Sequence, residues 1–186
     1  MALFPSTSIA SAAGGFDIPN SCRFDRASSA SLLSSAYLIS EANTLSFWFK
    51  RSNLGYSNCY LFQGNDMYAT ITSDDKIELG RSGCDGITTR VLRDPSAWYH
   101  IHFEATSSNT KIYINGVLDV TLTCVNSYSS GAMRIGANIG GTNSFDGYIA
   151  DLHVVDGTTL TPDSFGEKGD YGEWKPIKYT GSHGTN

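Results

Sequence analysis

Apolar and polar positions alternate along much of the chain, in short runs broken by turn-forming residues. Residues 45–50, LSFWFK, put Leu45, Phe47 and Phe49 on one side and Ser46, Trp48 and Lys50 on the other, which is the two-residue period of a β-strand. NCYLFQG (58–64) reads as a strand ending in a glycine turn. DMYATITSDDKIELG (66–80) reads as two strands around a Ser73–Asp75 turn. AWYHIHFEAT (97–106) is another strand. In KIYINGVLDVTLT (111–123) the Asn115-Gly116 pair tolerates the positive φ angles of a tight type I′ turn, so the chain reverses there and returns through 117–125. GAMRIGANIGG (131–141) and FDGYIADLHVVDG (145–157) supply two more strands, with Phe145–Gly147 as a strand-entry turn. LTPDSFGE (160–167) predicts a short helix with Thr161 as N-cap and Pro162 first inside it.

This succession of short strands with turn signals between them predicts an all-β, two-sheet antiparallel sandwich. The composition agrees: 40% hydrophobic and 12% aromatic residues, 19 Gly and only five Glu (Glu41, Glu78, Glu104, Glu167 and Glu173) do not suit a helical fold. At 186 residues the chain suits one domain with a sizeable core. We divide it into an N-terminal arm (1–20), the sandwich (21–165) and a tail (166–186) predicted as loop.

Charge narrows the partners. The net charge is −5 and the 13 Lys and Arg are scattered without a basic stripe, so neither nucleic acid nor an anionic membrane surface is an expected partner. The first residues, MALFPSTSIASAAGG, carry neither a cationic start nor an apolar stretch of signal-peptide length, and conventional secretion is not expected. Cys22, Cys59, Cys84 and Cys124 stand singly, which does not fit common zinc spacings; four cysteines allow three disulfide connectivities, and buried free thiols are the favoured reading.

The order of several segments carries a resemblance. AWYHIHFEATSSNTKIYINGVL followed by MRIGANIGGTNSFDGYIADLHVVDGTTLTPDSF resembles the concanavalin A-like jelly rolls, particularly their LamG and pentraxin-like branch, over about residues 24–165. The pattern is a Trp before a strand, a YING-type hairpin, Phe-x-Gly-x-Ile-x-x-Leu and a Leu-Thr-Pro close. RFDRASSASL, LSFWFKRSNLG and the terminal GEWKPIKYTGSHGTN look like the version of this domain found in virion proteins of bacteriophages and related viruses. The resemblance implies a jelly roll, a location on a virion assembled in the host cytoplasm, and many copies per particle. It also implies glycan or other virion proteins as partners, and either a standalone unit or a fragment of a larger virion protein.

Two chemistries known in that fold are tested against the residues. Sugar hydrolysis needs paired carboxylates, and the five glutamates are isolated from one another, so a non-enzymatic role is expected. The pentraxin-like branch binds calcium through an acidic cluster before the Phe-x-Gly-x-Ile strand. Here that loop reads GANIGGTNS with no acid before Asp146, which does not support calcium; Asn65 and Asp66, in the branch's other ligand-bearing loop, are the metal candidates, and no cofactor is expected.

Glycan binding needs exposed rings and planar polar groups, because sugars present apolar CH faces and hydroxyls. Alternation groups Trp48, His102 and Tyr113 as residues able to line a concave face, with core packing as the competing reading for the tryptophans; His100 and His102, at i and i+2, suit structural hydrogen bonds better than metal. Tyr56, Asn58, Tyr60, Asn126, Tyr128, Asn138 and Asn143 are loop candidates. The two functional expectations are a recognition module on a virion that binds host-surface glycan, and a structural virion component that makes only protein contacts in a capsid, tail or fibre.

Overall fold

A computed structural model describes residues 15–34, 42–81, 84–123 and 131–184. The N-terminal arm up to residue 14, Glu41, Cys124, Asn126 and Tyr128 lie outside the described residues. The strands are β1 (Cys22–Phe24), β2 (Leu32–Leu33), β3 (Asn43–Arg51), β4 (Cys59–Gln63), β5 (Met67–Ile71), β6 (Ile77–Arg81), β7 (Cys84–Ile87), β8 (Tyr99–Ala105), β9 (Asn109–Ile114), β10 (Val117–Thr123), β11 (Arg134–Ile135), β12 (Gly147–Asp156), β13 (Gly166–Lys168) and β14 (Trp174–Pro176). They build two six-stranded sheets, ordered β1-β12-β3-β8-β9-β10 and β2-β11-β4-β5-β6-β7, with all named pairings antiparallel. The all-β sandwich expected from the alternation is therefore present.

The inner faces carry the apolar half of each alternation. Phe47 of β3, Phe62 of β4 and Phe103 of β8 form a triangle across the gap between the sheets, with centroid separations of 6.1, 6.4 and 5.9 Å. Such edge and tilted contacts favour the ring quadrupoles and fix the spacing of the layers. Phe145 is buried against Phe24 and Phe49, as its strand-entry position predicts.

The Asn115-Gly116 turn joins β9 to β10 with φ of 50° and 71°, the double left-handed conformation of a type I′ turn. Two expectations are corrected. Residues 162–164 make only a single 3-10 turn, and Thr161 gives it no side-chain cap. The tail is not all loop, because β13 and β14 pair as a small hairpin. Its strands are three residues long, too short to show a period.

The cysteines divide. Cys84 is disulfide-bonded, which corrects the free-thiol reading for that residue, whereas Cys22 and Cys59 are free, the first exposed and the second buried.

A buried ion pair ties the turn before β6 and the segment after β7 to β3. Arg51, with only 2% of its side chain exposed, donates to Asp75 Oδ1 at 2.7 Å and to the Leu92 carbonyl at 2.8 Å, and Arg93 donates to Asp75 Oδ2 at 2.7 Å. Burial alone would raise the Asp75 pKa; the hydrogen bonds from Arg93 and Arg51 outweigh it and hold the carboxyl below its usual range. Asp75→Ala strands Arg51 in the interior and is expected to cost about 3–5 kcal/mol in chemical denaturation. The stabilisation from Asp75 persists at neutral pH and disappears as pH falls through its lowered pKa. Thiol labelling with peptide mapping is expected to modify Cys22 in the folded protein and Cys59 only after unfolding.

Candidate functional site

The outer face of the second sheet carries the candidate site. Tyr68 points away from the core because its neighbours Met67 and Ala69 point in, and the β4–β5 bulge between Tyr60 and Phe62 sets Tyr60 beside it. The two rings lie 5.6 Å apart at 49°. The Tyr68 ring passes over Gly80 so closely that a Cβ there would collide with it. Its hydroxyl donates to Glu78 Oε1 at 3.1 Å. Burial, with Glu78 beside it, pushes the phenol pKa well up, so Tyr68 stays a neutral, oriented platform.

Beside this platform is a groove of about 400 Å³, whose lining includes Gln63, Asn65, Asp66, Tyr68, Arg81 and Asp85. Gln63 Oε1 accepts from the Ile139 N–H at 2.9 Å and so holds the 136–142 loop at the rim. Within that loop Asn138 is locked to Thr142: its Nδ2 donates to Thr142 Oγ1 and its Oδ1 accepts from Thr142 N–H, both at 2.8 Å. Asn143 has φ 52° and its carbonyl accepts from the Tyr60 N–H at 3.0 Å. Asn58 is also left-handed, with φ 55°, and exposed Tyr56 lies under the Arg26 guanidinium at 4.5 Å. Thus Tyr60, Asn65 and Asp66 meet at the groove or its platform, and Asn138 sits in the rim loop. Tyr56, Asn58 and Asn143 flank Tyr60 from neighbouring turns.

Trp48, His102 and Tyr113 lie elsewhere, on the outer face of the first sheet, and the concave-face grouping is corrected for them. That face is covered by residues 160–184. Trp48 is 2% exposed, packed with Ile18 and Ala150, with Trp98 and Trp174 against that cluster. His102 is fully buried, its Nε2–H donating to the Leu160 carbonyl at 2.9 Å. Tyr113 is half-buried, edge-on to His102, and its hydroxyl donates to Glu104 Oε2 at 2.8 Å; burial and that carboxylate push its pKa up to about 12. The competing core reading describes Trp48.

The signal for the missed Tyr68 lay in residues 66–80, where Tyr68 and Thr70 alternate against Met67, Ala69 and Ile71; Gly80 and Asp85 are not marked by it. Arg81 carries no such signal. Its burial and its 3.4 Å bond to Thr110 Oγ1 across the sandwich come from tertiary structure.

Among the described residues no group of three or more His, Cys, Asp or Glu is placed to hold a metal. Asn65 and Asp66 line the groove together with Asp85, a set of oxygen donors without a third carboxylate from their own loop. The described glutamates are apart: Glu78 accepts from Tyr68, Glu104 from Lys111 and Tyr113, Glu167 pairs with Lys175, and Glu173 accepts from the Tyr171 N–H.

Solved structures share this architecture. A heptameric SAP-like pentraxin from Limulus polyphemus is 20% identical, with 69% of this chain and 68% of that one covered and a TM-score of 0.51. Domain 4 of an extracellular arabinanase from Geobacillus stearothermophilus, solved with arabinotriose, is 20% identical over 68% of this chain and 65% of that one, at TM-score 0.53. The CBM40 of a Ruminococcus gnavus IT-sialidase, bound to α2,3-sialyllactose, is 18% identical over 67% and 80%, at TM-score 0.55. Likeness at these identities speaks for the fold alone. No curated protein matches the chain. The family model described as the concanavalin A-like lectin/glucanases superfamily matches residues 25–164, and with the two-sheet fold just described the chain belongs to that superfamily.

Proposed function

We propose that this chain is a non-enzymatic carbohydrate-recognition module carried on a virus particle, binding glycan of the host surface through the outer face of its second sheet. The observation that carries the reading is the Tyr60–Tyr68 platform beside a polar groove. Two tilted phenol rings offer apolar faces to the CH side of a pyranose, and Gln63, Asn65, Asp66 and Asp85 offer planar hydrogen-bonding groups to its hydroxyls. The carboxylates Asp66 and Asp85 outnumber the single cation Arg81, and Arg81 spends one N–H on Thr110. This charge balance favours uncharged sugars over sialylated ones.

The non-enzymatic part rests on the separated glutamates, which do not form the paired nucleophile and acid that the glucanases of this fold use. The virion part rests on the resemblance of the terminal segments. A shallow aromatic platform binds one sugar weakly, and many copies on a particle would multiply that into firm attachment. The reading needs no cofactor, and calcium held by Asn65 and Asp66 would show as a calcium-dependent affinity.

A second reading, a structural virion component, is favoured by a different feature. Leu32 and Leu33 are 53% and 55% exposed, and Leu32 borders an apolar groove of about 190 Å³ with Phe24, Ile135, Ile149 and Leu152. Another particle protein would cover it.

A glycan array on the isolated chain, followed by titration calorimetry with and without calcium, tests both readings. Binding to neutral oligosaccharides is expected, weakened about 3–10-fold by Tyr60→Ala or by Tyr68→Ala, with unchanged melting of the Tyr60 variant. Silence across the array from folded protein would leave the structural reading. Gly80→Ala is expected to act like Tyr68→Ala, because the new methyl displaces the ring, and to cost about 1–3 kcal/mol of stability.

A further inference from the structure

All four histidines of the chain, His100, His102, His153 and His183, gather at one place: the outer face of the first sheet and the segment that covers it. We infer that residues 160–184 are an acid-sensitive strap, and that protonation of His100 and His102 beneath it releases it from β3, β8 and β12. This inference does not rest on the glycan reading.

The strap is held mainly through imidazoles. Trp174 Nε1–H donates to His100 Nδ1 at 2.9 Å, so Nδ1 carries no proton and Nε2–H donates to Ser46 Oγ at 2.8 Å. The indole stacks on the same ring at 5.9 Å and 26°. It seats over Gly116, where a Cβ would collide with it. His102 donates Nε2–H to the Leu160 carbonyl, and its buried Nδ1 has no hydrogen-bond partner. His153 packs on Phe165 at 5.2 Å and on Tyr179 at 5.4 Å. His153 Nδ1 and His183 Nε2 are 3.0 Å apart, with nearly coplanar rings and centroids 5.3 Å apart. The two nitrogens thus face each other along the line of centres. Two further bonds, Leu160 N–H to Thr44 Oγ1 at 2.8 Å and Asp156 N–H to the His183 carbonyl at 3.2 Å, do not titrate.

Acid changes the sign of the titrating contacts. A proton on His100 Nδ1 sets a donor against the Trp174 donor. A proton on His102 Nδ1 is a buried charge without an acceptor. The opposing charges are few. Asp151 Oδ1 is 3.0 Å from His153 Nε2, at ion-pair distance but without hydrogen-bond alignment. Glu104 favours a proton on His102, but Lys111 and Tyr113 already engage it. Glu167 pairs with Lys175 inside the strap, and Asp163 acts on Tyr113. Serine and tryptophan are the polar neighbours of His100, whose charges at longer range are His102 and His153.

Burial pushes His102 down to about 4 and His100 well below its usual value. With the strap released these rings meet water and return toward about 6.5, so between roughly pH 6.5 and 4 the open form binds more protons and acid favours it.

Hydrogen exchange of the full chain, corrected for intrinsic rates at pH 7.5, 6.0 and 4.8, tests this. Peptides over 166–184 are expected to exchange at least about tenfold faster at pH 4.8 than at pH 7.5, the effect of one pKa unit of coupling. Those over 45–51 and 99–105 are expected to stay protected. Trp174→Phe keeps the ring and removes the indole donor, and is expected to give fast strap exchange already at pH 7.5 with a flattened pH response. Equal strap protection at all three pH values overturns the inference. So does simultaneous loss of protection in strap and core, or a Trp174→Phe response identical to that of the wild type.

Discussion

The ring triangle of Phe47, Phe62 and Phe103 is the contact on which the rest of the architecture depends. It commits one face of β3, β8 and β4 to the interior. Because side chains in a strand alternate, it also commits Trp48, His100 and His102 to the far side of the first sheet, and the Tyr60–Tyr68 side to the far side of the second. A one-residue slip in any of these strands would exchange the sets. Two bulges shift the phase locally, and the first is why Tyr60 and Phe62, two positions apart, face opposite sides. Between Tyr60 and Phe62 the bulge leaves both Leu61 and Phe62 buried, and between Ala150 and His153 it brings Asp151, at φ 50°, beside His153.

With the inner faces fixed, the two outer faces diverge in what becomes of them. The first is covered: β3 is buried at eight of nine positions because residues 160–184 lie over the side that faces away from the core. The second is not covered in the same way by the described residues across β4 to β7, where Tyr60, Tyr68 and Glu78 are only half-buried. The position of a recognition surface therefore follows from coverage as much as from residue type. A tyrosine pair on the open sheet can meet a ligand, and a tryptophan on the covered one cannot.

Alternation was enough to read the sandwich, the Asn115-Gly116 reversal and the core Phe145 from sequence, because each is a local consequence of side-chain period or turn chemistry. It was not enough to tell Trp48 from Tyr60. Both sit next to core residues on a strand, and what separates them is a segment about a hundred residues or more further along the chain, whose three-residue strands carry no period of their own. β7, with the sequence CDGI, was missed for the same reason: it pairs with β6 at the sheet edge, and nothing in its pattern says so. The Cys84 disulfide is likewise a tertiary fact.

The choice of histidine at positions 100 and 102 follows from the same coverage. A polar residue beneath a covering segment must satisfy one partner in the sheet and another in the cover. His100 spans both in one rigid ring, donating to Ser46 within the sheet and accepting from Trp174 above it. A neutral imidazole has one donor and one acceptor on opposite sides, which an aliphatic or hydroxyl side chain does not offer at that reach. That match is complete only while the ring is neutral. The residue best able to join strap to sheet is thus also the one whose fit depends on pH, and Asn115 completes the arrangement by accepting the His100 backbone N–H through its Oδ1 at 2.8 Å. The hairpin turn that opens β10 thus holds the His100 backbone through that side chain and seats the strap through the bare Cα of Gly116 beneath the indole.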